Sequence, residues 1–178
     1  GDPGMGVIGA TSMLGAPLPV AAGGALAFKL RGNGGLSIGI TGEGATSRGD
    51  FHEALNFAGI HKLPVIFVVE NNHYGMTGRV RDEVMGIRDL ARRAGGFADD
   101  NMHAEVVNGM DALAVRDAVN RGIELCRKGE GPVLLDVHTY RYWGHSLSDP
   151  RNEYRTKEEE ASWKAIDAIE NFKAQMLD

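Results

Sequence analysis

The chain is poor in several features that would assign it to a class at once. Its 178 residues hold one cysteine, Cys126, so an internal disulfide is impossible, which suits a reducing compartment. Basic residues do not dominate: 19 Lys and Arg stand against 24 Asp and Glu, a formal net charge of −5. That balance gives no electrostatic case for nucleic acid or for an acidic membrane surface as a partner. No apolar run approaches the roughly 20 residues of a bilayer-spanning helix, and no segment has the charged-then-apolar layout of a signal peptide. Internal repeats, low-complexity tracts and a clear domain linker are also missing, so we expect residues 1–178 to form one domain.

What is present is the composition of a globular domain, 43% hydrophobic and 24% charged, long enough for a full-sized core. Glycine is abundant at 25 residues and crowds into the first half, so tight turns or close backbone approaches are expected there. The chain opens at Gly1 rather than methionine and enters a Gly-rich stretch at once, as a fragment, a processed chain or a trimmed one would.

Strand and helix signals alternate, the pattern of an α/β domain with a mostly parallel sheet and helices on both faces. Residues 1–14 read as loop and 17–30 as a helix with Pro19 near its start. Strands are expected at 36–41, 65–69, 104–107 and 132–137. The unbroken Val65-Ile66-Phe67-Val68-Val69 run suits a strand buried on both faces. Helices are expected at 50–59, 86–94 and 112–127, the last capped by Asp111. A final helix should run from 157 to about 177 behind Thr156, and the segments 42–49, 71–78 and 138–155 read as loops.

The chemistry concentrates at Gly42-Glu43-Gly44-Ala45-Thr46-Ser47-Arg48-Gly49 and Asn71-Asn72. Glu43 lies just past one strand and Asn72 just past the next, 29 residues on, one strand–helix–strand unit. Such crossovers are right-handed almost without exception, so both residues reach the same carboxyl edge of the sheet, where α/β ligands bind. A carboxylate and an amide oxygen are hard ligands suited to magnesium or calcium, and magnesium usually completes its shell with phosphates and water. The Gly44-Ala45 stretch opens onto a helix N-terminus, a ready phosphate site. Two rival phosphate motifs fail: Asp50 stands where a P-loop needs Lys, and Gly42-x-Gly44-x4-Gly49 lacks dinucleotide spacing. Either residue alone would be an ordinary loop residue; the pair, flanked by glycines at matching strand ends, points to a metal-bound diphosphate.

Several separate motifs then resemble one family. Gly42-Glu43-Gly44, Glu53-Ala54-Leu55-Asn56, Leu63-Pro64, Glu70-Asn71-Asn72 and Tyr74-Gly75-Met76 look like the thiamine diphosphate motif of 2-oxo acid dehydrogenase alpha subunits. The run from Arg141-Tyr142-Trp143-Gly144-His145 through Ser146-Leu147-Ser148-Asp149-Pro150 resembles a second signature of that family. The resemblance implies the thiamine diphosphate-binding fold and a set of roles. Glu43, the Asn72 side chain and the Tyr74 carbonyl would hold magnesium. Gly44 and Ala45 would meet the diphosphate through backbone N–H groups. Ser12 and Leu14 would face the aminopyrimidine ring. His145, supported by Arg141, would reach the diphosphate or the reacting centre. It also implies decarboxylation of a small, pyruvate-like 2-oxo acid with acyl transfer to a lipoyl group on an acyltransferase. A beta subunit would supply the glutamate that activates the cofactor, within a heterotetramer. The setting would be the cytoplasm, or the mitochondrial matrix in a eukaryote.

Departures from the family pattern leave alternatives open. Most relatives carry Asp at the position of Glu43, although branched-chain members also use Glu. Family chains carry an N-terminal region, with an aromatic–Arg grip on the diphosphate, before the point matching Gly1 and continue past the point matching Asp178, so residues 1–178 on their own are expected to lack both regions and to bind the cofactor more weakly. The other readings are a related thiamine diphosphate enzyme, such as a split transketolase or an acetoin-cleaving dehydrogenase, and a non-catalytic cofactor-binding or assembly module. Ser146 and Ser148 match positions phosphorylated in mitochondrial relatives. His52, His61, His73, His103 and His138 lack metal-ligand spacing and read as structural, Cys126 as a small core residue. Trp143 and Trp163 suit interface anchoring or ordinary packing equally.

Overall fold

The computed structural model describes residues 1–9, 11–87, 89–97 and 102–177. Four strands, β1 (Ser37–Gly42), β2 (Val65–Asn71), β5 (His103–Asn108) and β6 (Val133–His138), form one sheet in the order β1-β2-β6-β5. Every neighbouring pair is parallel. A separate hairpin pairs β3 (Tyr74–Gly75) with β4 (Gly78–Arg79). The helices are α1 (Pro17–Arg31), α2 (Gly49–Ile60), α3 (Ala112–Lys128), α4 (Lys157–Lys164) and α5 (Ala168–Leu177).

The sheet divides the core in two. Strand β2 is the clearest case, because successive side chains point to opposite faces. Val65, Phe67 and Val69 join α1 and α2 through Leu18, Ala21, Phe51 and Leu55. Ile66 turns to the other face and packs with Ala118 and Cys126 of α3. Each fully buried Phe or Leu contributes about 1.5–3 kcal/mol of transfer free energy. The two faces are therefore covered by helices, as the alternating pattern predicts, and Cys126 is a buried core residue whose thiol burial pushes up to about 11.

Differences from the sequence expectations have local causes. Residues 43–47 are a 3₁₀ helix rather than loop, because the Thr46 hydroxyl donates to the Glu43 carbonyl at 2.7 Å and tightens the turn. Of the stretch expected as a helix at 86–94, only the part from Leu90 on is helical, as the 3₁₀ helix Leu90–Gly96, and a π-turn at Val80–Val84 precedes the stretch; Arg88 lies outside the described residues. There the Asp136 carboxylate accepts the Leu90 N–H at 2.8 Å, a tertiary contact that sets where the turn begins. The expected final helix is two, because Asp167 accepts the N–H groups of Ile169 and Glu170 and caps α5 afresh. The opening segment contains a 3₁₀ turn, Pro3–Met5, capped by Asp2; Ala10 lies outside the described residues.

Two glycines separate packing from propensity. A Cβ on Gly39 of β1 would stand 2.8 Å from the Ala21 Cβ and 3.2 Å from Leu18 Cδ2, whereas one on Gly23 of α1 would meet nothing within 4 Å. Gly39→Val should lower stability by about 1–3 kcal/mol through overpacking, while Gly23→Ala should raise it by about 0.5–1 kcal/mol. Urea unfolding midpoints check both signs.

Candidate active site at the carboxyl edge of the sheet

Strands β1 and β2 run side by side with Gly42 opposite Glu70, so Glu43 and Asn72 leave the same edge. They meet there: Glu43 Oε2 accepts the backbone N–H of Asn72 at 3.2 Å. The Asn72 side chain then folds onto its own backbone, its Oδ1 accepting the Tyr74 N–H at 3.1 Å. His73 and Met76 take positive φ values of 72° and 61°, a costly conformation for non-glycine residues that clusters at functional sites. The His73 carbonyl accepts the Val80 N–H at 2.9 Å. That marks 73–80 as a hydrogen-bonded pair, so alternation makes Tyr74–Arg79 a non-bonded one and turns the Tyr74 carbonyl away from β4.

Glu43 is 2% exposed. Burial pushes its carboxyl above the ordinary value; its own backbone amide, that of Asn72 and the Arg141 charge pull the other way, and Asp136 adds to the rise. A buried carboxylate, an amide oxygen with a second lone pair and a backbone carbonyl free of its ladder make a hard oxygen set that fits magnesium. Among the described residues no three His, Cys, Asp or Glu side chains form a metal-binding group.

Gly44 and Ala45 lie in the first turn of the 3₁₀ helix, where backbone N–H groups have no helical partner. Gly44 backs onto the hairpin, with a Cβ there reaching the Gly75 Cα at 3.5 Å. Ser12 and Leu14 are exposed. Their segment borders the start of α2, since a Cβ on Gly15 would stand 3.4 Å from Arg48 Cδ. No hydrogen bond among the described residues ties either of them to Glu43 or Asn72.

The long loop after β6 returns over the hairpin. Arg141 donates to the Met76 carbonyl at 2.5 Å and to the Tyr154 hydroxyl at 3.2 Å, and meets His145 Nδ1 at 3.2 Å. Asp149 accepts the His145 N–H and the Tyr154 hydroxyl, each at 2.6 Å. The Tyr154 bond and the His145 amide hold the Asp149 carboxyl at about 2. Glu43, Asn72, Tyr74, Arg141 and His145, distant in sequence, thus gather at one edge.

A family model described as Dehydrogenase E1 component matches residues 2–178. The chain belongs to the dehydrogenase E1 component family. It is 41% identical over 170 residues to the pyruvate dehydrogenase E1 component subunit alpha of Zymomonas mobilis, covering 95% of this chain and 47% of that one. It is 39% identical over 176 residues to the subunit of the same name from Rhizobium meliloti, covering 98% and 47%. With the somatic mitochondrial form of Homo sapiens it shares 42% over 151 residues, covering 85% and 37%. The chain therefore spans about half or less of the length of these relatives. A solved structure of a Mycobacterium smegmatis protein described as a thiamin diphosphate-dependent enzyme resembles it in fold, with a TM-score of 0.53 at 23% identity, covering 72% of this chain and 22% of that one.

This E1 component domain also uses residues that sequence reasoning missed. Glu159 of α4 accepts the Tyr74 hydroxyl at 2.5 Å, the Tyr140 hydroxyl at 3.2 Å and Arg79 at 2.7 Å. Arg155, 4% exposed, donates to the Arg141, Tyr142 and Trp143 carbonyls and pairs with Glu160 at 3.0 Å. It staples the base of the loop that carries His145. Trp163 stacks on Tyr140 with centroids 5.1 Å apart, while Trp143 is 70% exposed. No spacing rule ties Glu159 to Tyr74, 85 residues away.

The raised Glu43 carboxyl has a pH signature. Its folded-state value lies above the ordinary 4.5, so the stability that it contributes is present below that value and lost as pH rises through the folded one. Without divalent cations, Glu43→Gln should melt higher than the parent at about pH 7 and together with it at about pH 4. Scanning calorimetry across that range checks this; equal shifts at both ends would count against it.

Proposed function

We propose that residues 1–178 form the thiamine diphosphate- and magnesium-binding domain of an alpha subunit that catalyses oxidative decarboxylation of a pyruvate-like 2-oxo acid. The active site is shared with a beta subunit, and the acyl group passes to a lipoyl group on an acyltransferase of the complex. The setting is the cytoplasm, or the mitochondrial matrix in a eukaryote. The observation that carries the reading is the bond from the Asn72 backbone to the Glu43 carboxylate at one strand edge, with the Asn72 side chain turned onto Tyr74 and Arg141 joining the same turn, at Met76, to His145. Membership of a family whose relatives bear the name pyruvate dehydrogenase E1 alpha supports it.

Each residue then has a task. Glu43, Asn72 and the Tyr74 carbonyl hold the magnesium. The N–H groups of Gly44 and Ala45 bind the diphosphate, and Ser12 and Leu14 border the aminopyrimidine ring. Arg141 is anchored to the Met76 carbonyl and orients His145 through Nδ1, leaving Nε2 to meet substrate or developing charge. When bound, thiamine diphosphate supplies the electron sink for decarboxylation.

The test mixes the chain with a beta subunit of the family and assays pyruvate, branched-chain 2-oxo acids and acetoin against a sugar phosphate as ketol donor. Decarboxylation of a 2-oxo acid is expected, and His145→Asn should lower kcat about 100-fold or more with cofactor affinity little changed. Ketol transfer without decarboxylation would replace this reading with the transketolase one. Inactivity on every substrate, with cofactor bound and the beta subunit associated, would overturn it.

A further inference from the structure

A carboxylate with no exposed surface stands in the middle of the sheet: Asp136 of β6 is 0% exposed. Burying a charge there is costly unless hydrogen bonds return the lost solvation. Asp136 has three. Its Oδ1 accepts Asn71 Nδ2 at 3.0 Å, and its Oδ2 accepts the Leu90 N–H at 2.8 Å and meets His138 Nε2 at 3.2 Å. Burial alone would raise its carboxyl, but the bonds from His138 and Asn71, the His138 charge and the Leu90 amide outweigh that and hold it below the ordinary range.

Two of these bonds lead to the walls of the site. Asp136 offers only acceptors, so it fixes the Asn71 amide with its NH2 inward and its oxygen outward. That outward oxygen accepts the His73 N–H at 3.2 Å, and the Asn71 carbonyl accepts the Thr139 N–H at 2.9 Å. His73, at φ 72°, is the residue between Asn72, whose backbone N–H bonds Glu43, and Tyr74, whose N–H bonds the Asn72 side chain. The second bond starts the 3₁₀ helix Leu90–Gly96. From that helix Arg93 donates to the Thr46 carbonyl, in the turn that begins at Glu43. Arg93 also meets the Met85 sulfur, which receives the Ser47 hydroxyl at 3.2 Å. One carboxylate thus sits beneath both walls, the Asn72–Tyr74 turn and the Glu43–Ser47 turn.

We infer that Asp136 is the positioning residue of this site: through Asn71 and Leu90 it sets the spacing between Glu43 and the Asn72–Tyr74 oxygens, and so the affinity for a divalent cation. The inference rests on the reading of this edge as a magnesium–diphosphate site. It gives Asp136 a task beyond core stability, because outer partners of metal ligands typically govern affinity by about 10–100-fold.

The test uses the full chain and Asp136→Asn, which keeps the volume but turns one acceptor into a donor. Amide exchange of the peptide holding Asn72, His73 and Tyr74 needs no cofactor and is read first; Mn2+ binding in the presence of thiamine diphosphate, followed by electron paramagnetic resonance, is read second. The expected result is faster exchange at those amides with α3 unchanged, and Mn2+ affinity lower by about 10–100-fold. Cys126→Ala, a core change remote from both walls, should lower the melting temperature and leave both readouts alone. If Asp136→Asn does not fold, Asn71→Ala cuts the first bond from its other end and should show the same two effects. Unchanged exchange at Asn72–Tyr74, or Mn2+ affinity that falls no further than in Cys126→Ala, would overturn the inference. Faster exchange in a chain whose parent form takes no Mn2+ would sustain the positioning of the turn by Asp136 and overturn the functional reading instead.

Discussion

Burial of Glu43 at the seam between β1 and β2 removes a carboxylate from water at a point where, among the described residues, two backbone amides and the Arg141 charge offset part of the loss. The group is therefore held short of its comfortable ionised state, and a nearby divalent cation would relieve it. Much of the surrounding geometry follows from that constraint. The parallel register of β1 and β2 brings the Asn72 amide to the carboxylate. The Asx turn and the two positive-φ residues bend the chain back between Asn72 and Met76, and the His73–Val80 bond turns the Tyr74 carbonyl outward.

The outer loop obeys the same logic from the opposite side. Arg155 is buried among the Arg141, Tyr142 and Trp143 carbonyls and the rings of Tyr74, Tyr140 and Tyr154. It brings a fixed charge to a segment with no regular secondary structure of its own. Glu159 joins α4 to Tyr74 and Arg79, so the hairpin is held by its ring as well as by its backbone. His145 then hangs from a framework anchored on both flanks, through Arg141 on one and Asp149 on the other.

Much of this was legible in the sequence because it depends on periodicity and spacing. The apolar run at 65–69 announced a strand buried on both faces, and the 29-residue step from Glu43 to Asn72 put both at one edge through the handedness of the crossover. What escaped depends on pairs far apart in sequence. Only the folded chain shows Asn71, Leu90 and His138 converging on Asp136. The expected helix at 86–94 failed for the same reason, since Leu90 gives its N–H to that carboxylate. The break between α4 and α5 was readable in principle: Asp167-Ala168-Ile169-Glu170 is a capping pattern inside an otherwise helical run.

We propose that the oxygens of Glu43, Asn72 and Tyr74 form a magnesium site serving a diphosphate. Calorimetric titration of thiamine diphosphate into the chain, with and without magnesium and with Asn72→Ala alongside, tests it most directly. Binding that requires magnesium and disappears in Asn72→Ala is expected. Binding of equal strength without magnesium, or binding that Asn72→Ala leaves intact, would contradict it.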